Sequence, residues 1–92
     1  MVKAAAGDIG QQLAAWRKLL GLTAEQVADR AGIARGTLGR LEHGDLGVSL
    51  GAVLSVASGL GILNGIVLAT DPYETEFGRA RADDALPKRV RR

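Results

Sequence analysis

The chain has 92 residues, with 12 Lys and Arg against 10 Asp and Glu for a net charge of +2, and is 47% hydrophobic. That length suits one small domain, which removes only roughly 60–65% of its unfolded surface from water and so gains from dimerisation. The apolar fraction excludes a wholly disordered chain, the absence of cysteine excludes disulfide scaffolds, cysteine nucleophiles and zinc fingers, and the few aromatics (Trp16, Tyr73, Phe77) are too sparse for a base-stacking platform on single strands.

Residues 1–7 hold one cation and no long apolar run. They read as a flexible N-terminus, not a signal peptide. Asp8 is a candidate helix cap with Gln11 three residues on, as in a capping box. Ile9, Leu13, Trp16 and Leu20 then fall on one helical face until Gly21 ends the helix. Thr23 caps the second helix with Gln26 three positions later, and Ala24, Val27, Ala28 and Ala31 form its inward stripe. Gly32 stops it, and Ile33 is an apolar plug in the turn. The third helix starts near Ala34, turns Leu38 and Leu41 inward and runs out at His43-Gly44.

Residues 46–70 form a stretch of 25 without a formal charge. Such a length is that of a membrane span, and Gly47/Gly51 and Gly61/Gly65 have the small-xxx-small spacing that membrane helices use. Ser49, Ser55, Ser58, Asn64 and five glycines favour two soluble helices instead. The first, capped by Ser49, has Leu50, Val53, Leu54 and Ala57 at amphipathic spacing and closes at Gly59 and Gly61. The second covers Ile62–Ala69, is apolar nearly all round, and is expected to bury Ile62, Leu63, Ile66 and Val67 in its own domain or against a second copy. Asp71-Pro72 ends it. Beyond Tyr73 the charges alternate in sign, a frayed helix is expected near Thr75–Ala85, and Pro87 opens a basic tail, Lys88–Arg92, expected to be disordered. Lys88, Arg89, Arg91 and Arg92 account for much of the pI near 9.5.

The most informative segment is LTAEQVADRAGIARGTLGRLEHG, Leu22–Gly44: two short helices joined by a glycine turn. A helix of this length fits the major groove while the helix before it braces across the phosphate backbone. On Arg17, Leu22-Thr23, Ala28, Gly32-Ile33, Leu38 and Leu41-Glu42-His43-Gly44, the sequence over about residues 9–69 resembles the Cro/cI-like, xenobiotic-response-element type of helix-turn-helix proteins. The resemblance implies an all-α, five-helix lambda-repressor-like DNA-binding domain over residues 8–70. A charged flexible extension, residues 71–92, follows it. The resemblance also implies a homodimer on a palindromic duplex operator, with the third helix as reader; a cytoplasmic, nucleoid-associated location is expected. Arg35 and Gly36 open that helix. Arg35 is the expected base contact, bidentate to guanine, and Arg40, one turn further along, reads a base or clamps a phosphate. Thr37 and Thr23 are expected at phosphates. Arg17 and Glu42 are expected to form a structural ion pair.

Some positions depart from the family pattern. Ala24 replaces a common glutamine, Ala34 lacks a capping hydroxyl, Gly36 and Gly39 weaken the reader, and the loop 45–48 carries an acid and no cation. Together they imply modest intrinsic affinity. Other chemistry has no basis: His43 is the sole histidine and reads as a helix end, Asp83-Asp84 as solvated neighbours, and there is no phosphate-cradling glycine motif with lysine. No enzyme activity, metal or cofactor is expected. The end of the chain, with Asp71-Pro72, Gly78-Arg79-Ala80-Arg81 and Leu86 onward, is similar to HipB-like antitoxins, which implies autorepression of an operon and a HipA-like toxin as partner.

Overall fold

The structure, a computed structural model, describes residues 1–85 of the chain. These form α1 (Val2–Leu19), α2 (Ala24–Ala31), α3 (Arg35–Glu42), α4 (Leu50–Leu60), α5 (Leu63–Ala69), a 3₁₀ turn at Pro72–Glu74 and α6 (Glu76–Ala85), without strands among the described residues. The all-α expectation stands. The basic tail Lys88–Arg92 and Pro87 lie outside the described residues.

The first helix begins at Val2, not at Asp8. Ala4, Ala5 and Ala6 are the strongest helix formers, and a run of them carries the helix back through the segment expected to be flexible. Asp8 is therefore an exposed interior residue and caps nothing. The inward stripe is also rotated from the expected one. Leu13 is buried, but Ile9, Trp16 and Leu20 keep nearly half their surface in water. The face that packs runs through Gly7, Gly10, Leu13 and Arg17, at spacings of three, three and four. A Cβ on Gly10 would lie 2.8 Å from the Glu42 carbonyl oxygen and closer still to that of Leu41. Only a bare Cα lets α1 settle on the last turn of α3. Gly44 (φ +81°) lies just as close to the backbone of Gly7, so these two turns of chain meet glycine to glycine.

Local chemistry fixes α2 as expected. The Thr23 hydroxyl accepts from the Gln26 amide at 3.0 Å, and the Gln26 side-chain oxygen accepts from the Thr23 amide at 2.9 Å, a complete capping box. Gly32, at φ +69°, closes the helix in the left-handed region. Val27 and Leu38 interlock with Val56 at the centre of the core, joined by Leu13, Ala24, Ala28, Leu41 and Leu60. Ile33 packs against this core from the turn.

Ser49 caps α4 by accepting from the Ala52 amide at 3.1 Å. Of the expected stripe Leu50, Val53, Leu54 and Ala57, Ala57 is buried and Val53 packs against the core, but the helix is rotated so that Val56 and Leu60 are buried with Ala57, and Leu50 is 71% exposed. Two contacts with α2 accompany this rotation. Gly59 packs against Arg30 of α2 with a would-be Cβ 3.3 Å from the Arg30 Cβ, and the Arg30 guanidinium donates to the Gly59 carbonyl at 3.3 Å. The helix thus turns its C-terminal half toward α2 and leaves Leu50 and Leu54 beside Ile9 and Trp16.

No residue of α5 is buried. Ile62 packs on the core, Ile62, Leu63 and Ile66 are half-buried, and Val67 and Leu68 are 56% and 43% exposed. Ile9, Trp16, Leu50, Leu54, Ile62 and Ile66 line an open apolar groove between α1, α4 and α5. The turn after α5 is capped by side chains: Asp71 accepts from the Tyr73 amide at 2.9 Å, and the Thr75 hydroxyl both donates to the Pro72 carbonyl and accepts from the Gly78 amide. The α6 helix packs on that turn, with Arg81 stacked 5.0 Å over the ring of Phe77. Among the described residues, no helix is long and apolar enough to cross a membrane.

Candidate nucleic-acid interface

The third helix turns Leu38 and Leu41 into the core. At about 100° per residue, the opposite side is then a strip of Gly36, Gly39 and His43, with Arg35 on one edge and Arg40 on the other. The two arginines do not share one line of the helix, as the sequence reading has it. Five residues apart, they stand about 140° apart around the axis and flank a strip whose two glycines carry no side chain. Among the described residues Arg35 has no ionic or hydrogen-bonding partner; its guanidinium extends over Gly39, a would-be Cβ of which would sit 3.7 Å away. The exposed His43 ring holds the Gly39 carbonyl at 2.7 Å through Nδ1.

Arg40 is engaged. Its Nε donates to Asp45 Oδ2 at 2.8 Å, while Asp45 Oδ1 accepts from the Gly47 amide at 2.6 Å. The guanidinium hydrogen bond first, and the Gly47 amide second, hold the Asp45 carboxyl below the usual carboxylate range. A lowered folded-state value means the bridge is intact at neutral pH and fades only as pH falls through that lowered value. Asp45 is legible in the sequence as an unfavourable acid in the loop, but its partner is not. The i, i+5 spacing is not a helical pair, and only the turn after Gly44 brings the two together.

Ala34 precedes α3 without a side-chain cap, and Thr37 is half-buried on the flank of the helix. Thr23 is exposed at the start of α2, where its capping oxygen still has a hydroxyl proton to give. Glycine in the first turn of α3 has a cost that can be measured. A Cβ at Gly36 meets nothing within 4 Å, so Gly36→Ala is expected to stabilise the fold by about 0.5–1 kcal/mol. A thermal melt should rise by about 3–6 °C.

Arg17 and Glu42 form the expected pair, bidentate, with Nε to Oε2 at 2.9 Å and Nη2 to Oε1 at 3.1 Å. Their side chains keep 15% and 13% of their surface. The Glu42 hydrogen bond raises the Arg17 pKa against the opposing cost of desolvation. Arg17 also donates to the Leu22 carbonyl at 3.4 Å. The pair thus joins the end of α1, the entry to α2 and the end of α3. Glu42 stands on the Arg35 side of α3, about 20° from it around the axis, and is largely covered there by α1. Among the described residues no group of three His, Asp or Glu gathers to hold a metal ion.

A family model described as a helix-turn-helix domain matches residues 8–65. No curated protein and no solved structure matches the chain. The matched span covers more than half of the chain and contains α2, the Gly32 turn, α3 and the helices that support them. The chain therefore belongs to the helix-turn-helix domain family of DNA-binding proteins.

Proposed function

We propose that the protein is a sequence-specific, duplex-DNA-binding transcriptional repressor that acts as a homodimer on a palindromic operator. The observation that carries this reading is the outward strip of α3. Two glycines bring the helix backbone up to a groove floor, and Arg35 and Arg40 stand at its edges to meet base or phosphate. Thr23 at the start of α2 and Thr37 on the flank of α3 take phosphates, fixing the register. The half-buried and exposed apolar residues Ile62, just before α5, and Leu63, Ile66 and Val67 on it support a two-fold contact. Such a contact sets half-sites about one helical turn apart.

Duplex binding is tested by fluorescence anisotropy at several salt concentrations. Affinity should fall steeply with salt as phosphate counterions are released. Arg35→Ala should weaken binding to a selected duplex by about 5- to 150-fold and relax one base position. Gly36→Ala, though more stable, should bind several-fold more weakly because its methyl stands in the strip. Salt-independent binding, or unchanged base preference in Arg35→Ala, would overturn the reading.

The α6 arm favours one form of this function, an autorepressing antitoxin. Its Phe77 is 71% exposed on a charged helix packed on the 3₁₀ turn, a suitable platform for a toxin protein. Copurification with the product of the neighbouring reading frame, abolished by Phe77→Glu, is the expected result. Failure of the two chains to associate would leave a stand-alone repressor.

A further inference from the structure

We propose that Asp45 sets the sequence specificity of the reading face, by holding Arg40 at its Nε edge for end-on base recognition and by keeping the α3–α4 loop away from phosphates. This rests on the duplex-binding reading above. Both oxygens of the carboxylate are committed, one to Arg40 Nε at 2.8 Å and one to the Gly47 amide at 2.6 Å. The Asp45 amide donates back to the Arg40 carbonyl at 3.0 Å. Gly47 is part of the device, since a Cβ there would lie 3.1 Å from Asp45 Oδ1 and 3.3 Å from Arg40 Nη2.

The consequence follows from the arginine's donors. With Nε taken, Nη1 and Nη2 remain, the pair that reaches guanine O6 and N7 end-on. An arginine already held by a carboxylate has lost its rotamer freedom before it docks, so the base contact is made without that loss. The same carboxylate repels the DNA backbone wherever the loop approaches it, which penalises every sequence alike. Asp45 therefore lowers non-specific affinity while sharpening one base position, a repulsive element that raises discrimination. Asp45 is a positioning residue: it acts on DNA through Arg40.

The test uses duplexes selected by the wild-type chain from a library randomised over about 20 base pairs, the span of two half-sites. Base preference and affinity for the selected and the random-sequence duplex are then compared for Asp45→Asn, Arg40→Ala and Arg35→Ala. Asp45→Asn should bind random duplex about two- to fivefold tighter, and its ratio of selected to random affinity should fall about tenfold. It should lose preference at the base position that Arg40→Ala loses, with the Arg35 position intact. A purely structural role would not produce that pattern, and a melt of Asp45→Asn should match wild type because the carboxylate is exposed. An unchanged ratio, or a loss spread evenly over the site, overturns the proposal. Failure of the wild-type chain to select any sequence overturns the duplex-binding reading itself.

Discussion

Gly10→Ala is expected to lower the melting temperature by about 10–20 °C. A helix-interior glycine replaced by alanine ordinarily gains about 1 kcal/mol. Here the added methyl would meet the Leu41 and Glu42 carbonyls, with the second only 2.8 Å away. Both are backbone atoms in the last turn of α3, so no rotamer change relieves the contact. Either α1 lifts from α3 or the turn at Gly44 opens. Overpacking of this kind costs about 3 kcal/mol or more before the propensity gain is subtracted, leaving a net loss of about 2–3 kcal/mol. A domain of this size has little stability to lose. Lifting α1 also moves Arg17, two turns further on, away from Glu42. A differential scanning calorimetry trace of Gly10→Ala beside Gly36→Ala checks the argument directly: the first should melt early and the second late, although both make the same chemical change. Equal shifts would mean that α1 and α3 do not approach through Gly10.

Glu42→Ala is expected to lower the melting temperature by about 10–20 °C, and to weaken duplex binding through that destabilisation and not by losing a DNA contact. Deleting Glu42 leaves the Arg17 guanidinium with 15% of its surface exposed and only the distant Leu22 carbonyl as partner. Stranding a fully buried charge costs about 3–5 kcal/mol, and the remaining exposure reduces this to about 2–3 kcal/mol. The companion variant Arg17→Met/Glu42→Leu removes both charges and fills the space. It should melt near wild type, because a nearly buried pair returns in Coulomb energy little more than its desolvation takes. Circular dichroism melts of the two variants, followed by anisotropy on the selected duplex, separate the roles. A Glu42→Ala chain that melts like wild type yet binds no duplex would assign Glu42 to the interface instead.

The reading pair was legible in sequence because its determinants are local. The Thr23–Gln26 box, the Gly32 stop and the Leu38/Leu41 spacing act within one or two turns of the residues that carry them, and each has the same meaning in any fold. The Arg17–Glu42 pair was reached by resemblance, being 25 residues apart. Residues 2–7 show the reverse error: no cap marks the start of α1, yet an alanine-rich turn continues helically without one.

By itself, then, the sequence determined that the described residues are all-helical, where α2 and α3 begin and end, and which of their residues face inward, since hydrogen-bond capping and 3.6-residue periodicity need no partner. Only the tertiary structure decided which side of α1 and α4 is buried, that Gly10 is a point of contact and not a weak spot in a helix, and that Arg40 is bound to Asp45. Those outcomes depend on how closely two backbones approach, and a glycine spacing or a lone carboxylate does not encode what lies opposite it. The reading segment Leu22–Gly44 keeps its outline, but its two arginines stand on opposite edges of a bare strip, because two inward leucines, not the charges, set the rotation of the helix.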